Sequence, residues 1–229
     1  DSDLGRAVAI ALAKEAADIA IVYLNAHEDA ETTKQKVEET GRSCLMMAGD
    51  VEDEAFCQQA VQQTIDQFGR IDILVNNALQ PTTPQGSENL STEELERNLQ
   101  SSLCPMFYMT NAALPYLKEG STIINTTSLM AAKGQVDYTS SRGAIVTFTR
   151  SLSQSLEDKG IRVNGVAPGP VWTMLVPSTV PADQVKAMGE RMPTGEASQA
   201  DEIAQSIVYL VSEDASYMAG QVVFTQSSL

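Results

Sequence analysis

Ser128, Tyr138 and Arg142 are the residues whose types and spacing could do chemistry together. They belong to one stretch, Ser121 to Arg142, reading STIINTTSLMAAKGQVDYTSSR. Its opening run, Thr122-Ile123-Ile124, is apolar and β-branched and reads as a buried strand. Hydroxyl residues Thr126, Thr127 and Ser128 follow at the strand's C-terminal end. Apolar spacing beyond Tyr138 predicts a helix that starts near it, which places Tyr138 and Arg142, at i and i+4, on one face. A serine at a strand end, a phenol on the next helix and a cation one turn on could meet in one cleft.

The elements that must position them alternate along the chain. Helical periodicity covers Gly5 to Ala16, and Ile19 to Leu24 reads as a strand. Asp29 to Thr40 is a charged amphipathic helix closed by Gly41, and Ser43 to Ala48 a strand ending at Gly49-Asp50-Val51. Glu54 to Phe68 is a helix closed by Gly69, and Ile71 to Val75 a short strand before Asn76-Asn77-Ala78. Gln80 to Asn89 is a loop by composition. Ser91-Thr92-Glu93-Glu94 predicts the capped start of a helix to about Leu117, with Pro105 as a kink point. The helix at Tyr138 is expected to run to about Lys159 and stop at Gly160. Ile161 to Val166 is a strand ending in Ala167-Pro168-Gly169-Pro170, and Val171 to Met192 a looser segment placed as a candidate lid. A helix over Gln199 to Ser212 and a strand over Gln221 to Thr225 complete the chain. Nearly all-apolar strands alternating with helices predict an α/β fold: one domain over 1–229, a parallel sheet covered on both faces.

Composition narrows the function. The 229 residues carry 15 basic and 30 acidic side chains, a formal net charge of −15, which argues against nucleic acid and anionic membrane surfaces as partners. No run has the length of a membrane span and no signal peptide precedes the first helix, so a cytoplasmic location is expected. Cys44, Cys57 and Cys104 are odd in number without metal-like spacing and read as reduced thiols. With His27 as the only histidine, a histidine-rich metal site is excluded and no metal is expected.

Ligands of parallel sheets bind beyond the carboxyl ends of the strands. The polar residues there are Asn25, Asp50, Asn76, Asn77, Ser128 and the Pro168 to Thr173 segment. Singly each is an ordinary turn residue; jointly, at successive strand ends, they mark one site. Together with Asp1-Ser2-Asp3-Leu4-Gly5-Arg6-Ala7, Asp72-Ile73-Leu74-Val75-Asn76-Asn77-Ala78 and Ile161-Arg162-Val163-Asn164-Gly165-Val166-Ala167-Pro168-Gly169-Pro170-Val171-Trp172-Thr173, they give the chain its likeness. It resembles a short-chain dehydrogenase/reductase over essentially its whole length, near bacterial general-stress and glucose/ribitol-dehydrogenase-like members.

That resemblance implies a Rossmann-type doubly wound parallel sheet and a cofactor, NADP or NAD. Gly5 would lie at the phosphate turn and Asn25 at the ribose, while Asp50 and Val51 would contact adenine. Asn76 and Ala78 would flank the adenosine side, and Pro168, Gly169, Val171 and Thr173 would hold the nicotinamide end. Ser128 would position a substrate carbonyl or hydroxyl, with Tyr138 as general acid or base. A tyrosine does this only with its pKa lowered from about 10, and a drop of ~2–3 units needs roughly 3–4 kcal/mol of phenolate stabilisation. The resemblance further implies a small-molecule substrate and a homodimer or homotetramer formed through the helices around Ser91–Leu117 and Tyr138–Lys159.

The chain departs from the family pattern at several points. Arg142 stands in place of a lysine, keeping the charge but not the shape, and Ser102 in place of a helix asparagine that helps hold a relay water. The Ser128–Tyr138 spacing is three residues short, and Gln226-Ser227-Ser228 replaces a Gly-rich ending. Asp3 replaces the middle glycine of the phosphate turn, and one repulsion at ~5 Å with effective ε near 20 is worth roughly 3 kcal/mol. Alternatively Asp3 turns outward and caps the helix. The family's first strand, central in its sheet, has no counterpart within the sequence from Asp1 on: either it lies in residues upstream of Asp1, or the fold is altered there and two neighbours have unpaired edges. The absence of an aspartate at Asn25, together with Arg6, allows NADP. The expected function is therefore NAD(P)(H)-dependent carbonyl reduction or alcohol oxidation, weakened or lost through these changes. The alternatives are a non-catalytic binding or assembly protein on the same fold, or cofactor-independent acid/base chemistry at Tyr138.

Overall fold

The computed structural model describes residues 3–77, 91–128, 136–169, 171–172 and 198–225, the side chains of 137, 138 and 172 excepted. Its first elements are α1 (Asp3–Lys14), β1 (Ile19–Tyr23), α2 (His27–Glu38), β2 (Cys44–Ala48), α3 (Glu54–Phe68) and β3 (Ile73–Asn76). There follow α4 (Thr92–Ala113), β4 (Thr122–Thr126), α5 (Val136–Leu156), β5 (Arg162–Pro168), β6 (Val171–Trp172), β7 (Ser198–Gln199), α6 (Ala200–Val211) and β8 (Val222–Thr225).

Local chemistry sets the helix ends. Asp53 caps α3 by accepting from the Ala55 amide at 2.9 Å, and Gly69, at φ +77°, closes the helix in the left-handed conformation that lacks a Cβ penalty. Ser91 Oγ accepts from the Glu94 amide at 3.1 Å and starts α4 one residue after the expected cap. That helix ends at Ala113 rather than near Leu117. Pro115 has no amide proton to extend the ladder, and the Tyr116 amide turns back to the Ala113 carbonyl at 2.9 Å. Helix α2 starts at His27, two residues before the expected Asp29, because the Ala26 carbonyl already accepts the Ala30 amide at 3.0 Å. Strand β5 outlasts the expected Val166 and runs through Pro168, held there by β8 in the register Pro168↔Thr225.

Every strand pair is parallel. The order β3-β4-β5-β8 forms one sheet, β1-β2 a second, and β6-β7 a two-residue ladder that takes Val171 and Trp172 from the expected loose segment and Gln199 from the expected start of the last helix, which begins at Ala200. Among the described residues no ladder joins β1-β2 to β3-β4-β5-β8.

Both faces of the larger sheet are covered, and β4 shows it residue by residue. Ile123 and Ile124 are both 0% exposed and, being adjacent in a strand, point to opposite faces. Ile123 joins Val61, Ala113, Leu117, Leu156 and Val163, so α3, α4 and α5 cover that side. Ile124 joins Leu4, Val8, Leu12, Val166 and Ile207, so α1 and α6 cover the other. Ile19 of β1 and Val37 of α2 belong to this second cluster, with Ile21, Ile73 and Val75 packed against it. The two sheet portions are thus held together by apolar side chains.

Candidate functional site

Strand β4 is buried along its whole length, as a strand flanked on both edges and covered on both faces must be. Two isoleucines form its middle, between Thr122 at the start and Asn125 and Thr126 toward the carboxyl end. Asn125 is 0% exposed, and Asn76 Nδ2 donates to its Oδ1 at 2.9 Å and to Thr110 Oγ1 at 3.2 Å. Asn125 Nδ2 in turn donates to Thr149 Oγ1 at 3.0 Å. Strands β3 and β4 and helices α4 and α5 are pinned together beneath the strand ends by this buried chain. Gly165 lies opposite Asn125 in β5, where a Cβ would come within 3.0 Å of Val222 and 3.3 Å of the Asn125 carbonyl.

Above that layer lie the residues singled out for catalysis. Thr127 is buried, its amide bonded to the Val166 carbonyl at 2.8 Å, and Ser128 follows it half-buried at the mouth of the strand. Thr127 Oγ1 donates to the Arg142 carbonyl at 3.0 Å, which brings α5 against the end of β4. Arg142 is 1% exposed, a guanidinium carried into the interior one turn after Tyr138. A cation at such depth is stable only when hydrogen-bonding or anionic groups face it. Ser102 is buried on α4 at 2% exposure. The Tyr138 backbone is in α5, and its side chain lies outside the described residues, as do 129–135, which set the short Ser128–Tyr138 spacing.

The candidate cofactor positions fall at the same end of the strands. Gly5 lies in the first turn of α1 and Asn25 is exposed just past β1. Asp50 is exposed past β2, its Oδ1 accepting from the Glu52 amide at 2.9 Å, which fixes the carboxylate in an Asx turn. Val51 is half-buried, and its carbonyl accepts from the Cys57 thiol at 3.3 Å. A Cβ on Gly49 would collide with the Phe56 ring and force it aside, so glycine here keeps that ring packed beside the path to Asp50. Pro168 and Gly169 are buried at the end of β5, and Val171 pairs with Ser198 in β6-β7. Ala78 and Thr173 lie outside the described residues, as do the 80–89 loop and most of the 171–192 segment.

Two charged residues near α1 behave differently from their sequence reading. Arg6, which with the missing aspartate at Asn25 allows NADP in the sequence, donates from Nη2 to Asp29 at 2.8 Å and from Nε to Thr33 at 3.2 Å, so it ties α1 to α2. Asp3 lines a cleft of about 340 Å³ together with Arg6, Lys36 and Asp201, so two cations share its surroundings. A larger cleft of about 790 Å³ lies at the opposite end of the sheet, where Gly120, Ile161 and Gln221 lead into β4, β5 and β8. It has none of the site residues. Among the described residues no helix is long and apolar enough to cross a membrane, and no cluster of three or more His, Cys, Asp or Glu could hold a metal.

The sequence marks Thr127 only as a hydroxyl at the strand end, and Asn125 and Thr149 were missed there. The signal was present at Asn125, an amide directly after two isoleucines in a buried strand, which folds at low cost only with partners.

A doubly wound parallel sheet with a serine at its central strand end, and a tyrosine and buried cation on the following helix, defines a class of nucleotide-dependent oxidoreductases. The family model described as enoyl-(acyl carrier protein) reductase matches residues 1–227, and the chain belongs to the short-chain dehydrogenase/reductase family. General stress protein 39 of Bacillus subtilis (strain 168) is 48% identical over 224 residues, covering 96% of this chain and 78% of the relative. Glucose and ribitol dehydrogenase of Daucus carota is 42% identical over 231 residues, covering 97% of this chain and 79% of the relative. A short-chain dehydrogenase from Burkholderia cenocepacia J2315, solved in complex with NADP, superposes with a TM-score of 0.88 at 28% identity, covering 97% of this chain and 91% of that one. Family, Rossmann-type fold and the cofactor class, NAD(P), thus agree with the expectations from sequence.

The described residues fit such a nucleotide. An exposed, fixed Asp50 just past the closely packed Gly49 suits an adenine edge. Asn76 spends both Nδ2 protons inside the fold, which leaves its backbone and Oδ1 for any contact with adenosine.

Proposed function

We propose that this chain is an NADP(H)- or NAD(H)-dependent reductase of small carbonyl compounds, running also as an alcohol dehydrogenase, with turnover reduced by its altered motifs. The bound nicotinamide supplies the hydride. Ser128 holds the substrate oxygen, and Tyr138 gives that oxygen a proton in reduction or takes one in oxidation. Arg142 supplies the positive field that favours the phenolate, and Ser102 takes the place of the relay asparagine. Gly5, Asn25, Asp50, Val51, Asn76, Ala78, Pro168, Gly169, Val171 and Thr173 would line the nucleotide.

The observation that carries this reading is the burial of Arg142 at 1% exposure, on the helix bonded to the strand that ends in Ser128. Charge buried at that depth is costly and has a use beside a titrating phenol. Arginine's planar fork does not reproduce a lysine's point contact, which supports reduced turnover.

The rest of the assignment follows the same reading: one domain over 1–229, a cytoplasmic location and a homodimer or homotetramer. Phe107 on α4 and Val136 on α5, 52% and 51% exposed, support self-association through these helices. A second reading, a nucleotide-free binding protein on this fold, is favoured only by Asp3 in the first turn of α1.

Calorimetric titration with NADPH and NADH tests the proposal. Micromolar binding, followed by aldehyde reduction that Tyr138→Phe abolishes, is the expected result. No binding at millimolar nucleotide overturns it and leaves the binding-protein reading.

A further inference from the structure

Two buried hydrogen bonds cross to α5, one from β4 and one from the residue just past its end. Thr127 Oγ1 donates to the Arg142 carbonyl at 3.0 Å, and Asn125 Nδ2 donates to Thr149 Oγ1 at 3.0 Å. Thr149 passes its own proton to the Ile145 carbonyl at 2.8 Å, so its hydroxyl is fixed from both sides. Thr127, Asn125, Thr149 and Arg142 are all 1% exposed or less. Neither bond belongs to a helix or sheet ladder, so neither is demanded by secondary structure.

Their spacing gives them a joint effect. Asn125 lies in β4 and Thr127 one residue past its end, where the Thr127 amide still bonds the Val166 carbonyl of β5 and carries the extended register on, so the two share a face; Arg142 and Thr149 are seven apart on α5 and share a face too. The later strand residue bonds the earlier helix residue, so α5 runs back along β4, fastened at two points about two turns apart. One fastening sets a distance; two also set the rotation of the helix about its axis. Thr127 is the fastening next to the chemistry. Ser128 follows it directly, Arg142 is one turn past Tyr138, and the Thr127 backbone is itself locked to β5 through the Val166 carbonyl at 2.8 Å.

We propose that Thr127 is a positioning residue: its hydroxyl, bonded to the Arg142 carbonyl, fixes α5 against the end of β4 and so sets where the α5 backbone at Tyr138 stands relative to Ser128. The inference rests on the reading of Ser128 and Tyr138 as the reacting pair. A hydroxyl donor is what the position needs, so Thr127→Val removes the function at nearly constant volume and Thr127→Ser keeps it.

The test measures wild type and both variants in three ways: NADPH affinity, kcat and KM for an aldehyde, and amide hydrogen exchange over residues 139–146. Thr127→Val is expected to lower kcat tenfold or more, leave the NADPH Kd within twofold and speed exchange in that segment. Thr127→Ser is expected to restore kcat to within threefold. An unchanged kcat in Thr127→Val, an equal loss in Thr127→Ser, or a Kd that rises in step with the loss of kcat overturns the proposal. If wild type shows no turnover, the functional reading fails by itself, and the exchange arm decides the fastening: unaltered exchange in Thr127→Val sinks it. Should Thr127→Val not fold, Thr127→Cys takes its place in the same three measurements, its thiol filling the site with a weaker donor.

Discussion

The side-chain amide of Asn76, at the end of β3, donates to the Oδ1 of Asn125 in β4 at 2.9 Å, joining two strands through side chains where their backbones are already paired. Asn125→Ala removes the acceptor from Asn76 and the donor from Thr149 in a dry interior, and is expected to cost about 2–3 kcal/mol. Asn125→Asp keeps the acceptor but buries a carboxylate. Its loss is expected to be larger at pH 8 than at pH 5, where protonation relieves the charge. Urea unfolding at the two pH values measures both.

Arg162 closes the far end of α6. Its Nη1 donates to the carbonyls of Leu210 at 2.8 Å and Ala215 at 3.0 Å, and its Nη2 to that of Ser212 at 3.0 Å. A cation placed on the last carbonyls of a helix answers both their unpaired lone pairs and the helix dipole. Arg162→Met is expected to destabilise by about 2–4 kcal/mol. Arg162→Lys should recover only part of that, because one ammonium cannot reach carbonyls spread around the helix end. Thermal unfolding, at roughly 2–4 °C per kcal/mol for a chain of this size, reads the difference.

Burial pushes the Cys57 thiol up to about 11, with the carboxylates of Asp53, Asp50 and Glu54 adding to the effect. Between pH 9 and 11 the unfolded chain loses this proton before the folded one does, so stability contributed by the neutral thiol is full below pH 9 and falls as pH rises through that window. The loss from this group is about 1–2 kcal/mol. Comparing pH-dependent unfolding of wild type and Cys57→Ala isolates it, and the same wild-type protein at pH 8 should react with thiol reagents far more slowly than its unfolded form.

Asp3 lines an open cleft with Lys36, Asp201 and an Arg6 already paired to Asp29, so solvent and Lys36 weaken its field toward a bound pyrophosphate. Asp3→Gly is therefore expected to tighten NADPH binding by less than tenfold in calorimetric titration. A gain of a hundredfold or more would mean that the carboxylate faces the phosphates.

How much of this was legible in the sequence varies with the kind of force involved. Alternating apolar strands and helices were readable because burial imposes a period, and Gly69 announced the end of α3 because only its left-handed conformation fits there. Ser128 and Arg142 were legible by type and spacing. Ends set by one hydrogen bond were not: α4 stops at Ala113 through Pro115 and a reversed amide, and β5 runs on to Pro168 because a strand from the far end of the chain pairs with it. The commitment of Arg6 to Asp29 and Thr33 depends on how α1 lies against α2, which no local pattern encodes. Asn125 and Thr127 stood in plain view, but their partners lie on another element, and a hydroxyl beside a catalytic serine reads as another turn residue until the helix is in place.

The side-chain bonds that join Asn76, Thr110, Asn125 and Thr149 tie four elements from well-separated parts of the chain into one interior knot beneath the strand ends. Contacts of such long sequence separation form only when their elements have met, so the floor of the site is completed late in folding, after the strands it supports are side by side. An apolar replacement of any one member strands its neighbour in a dry place, so the four residues are kept or lost as a set.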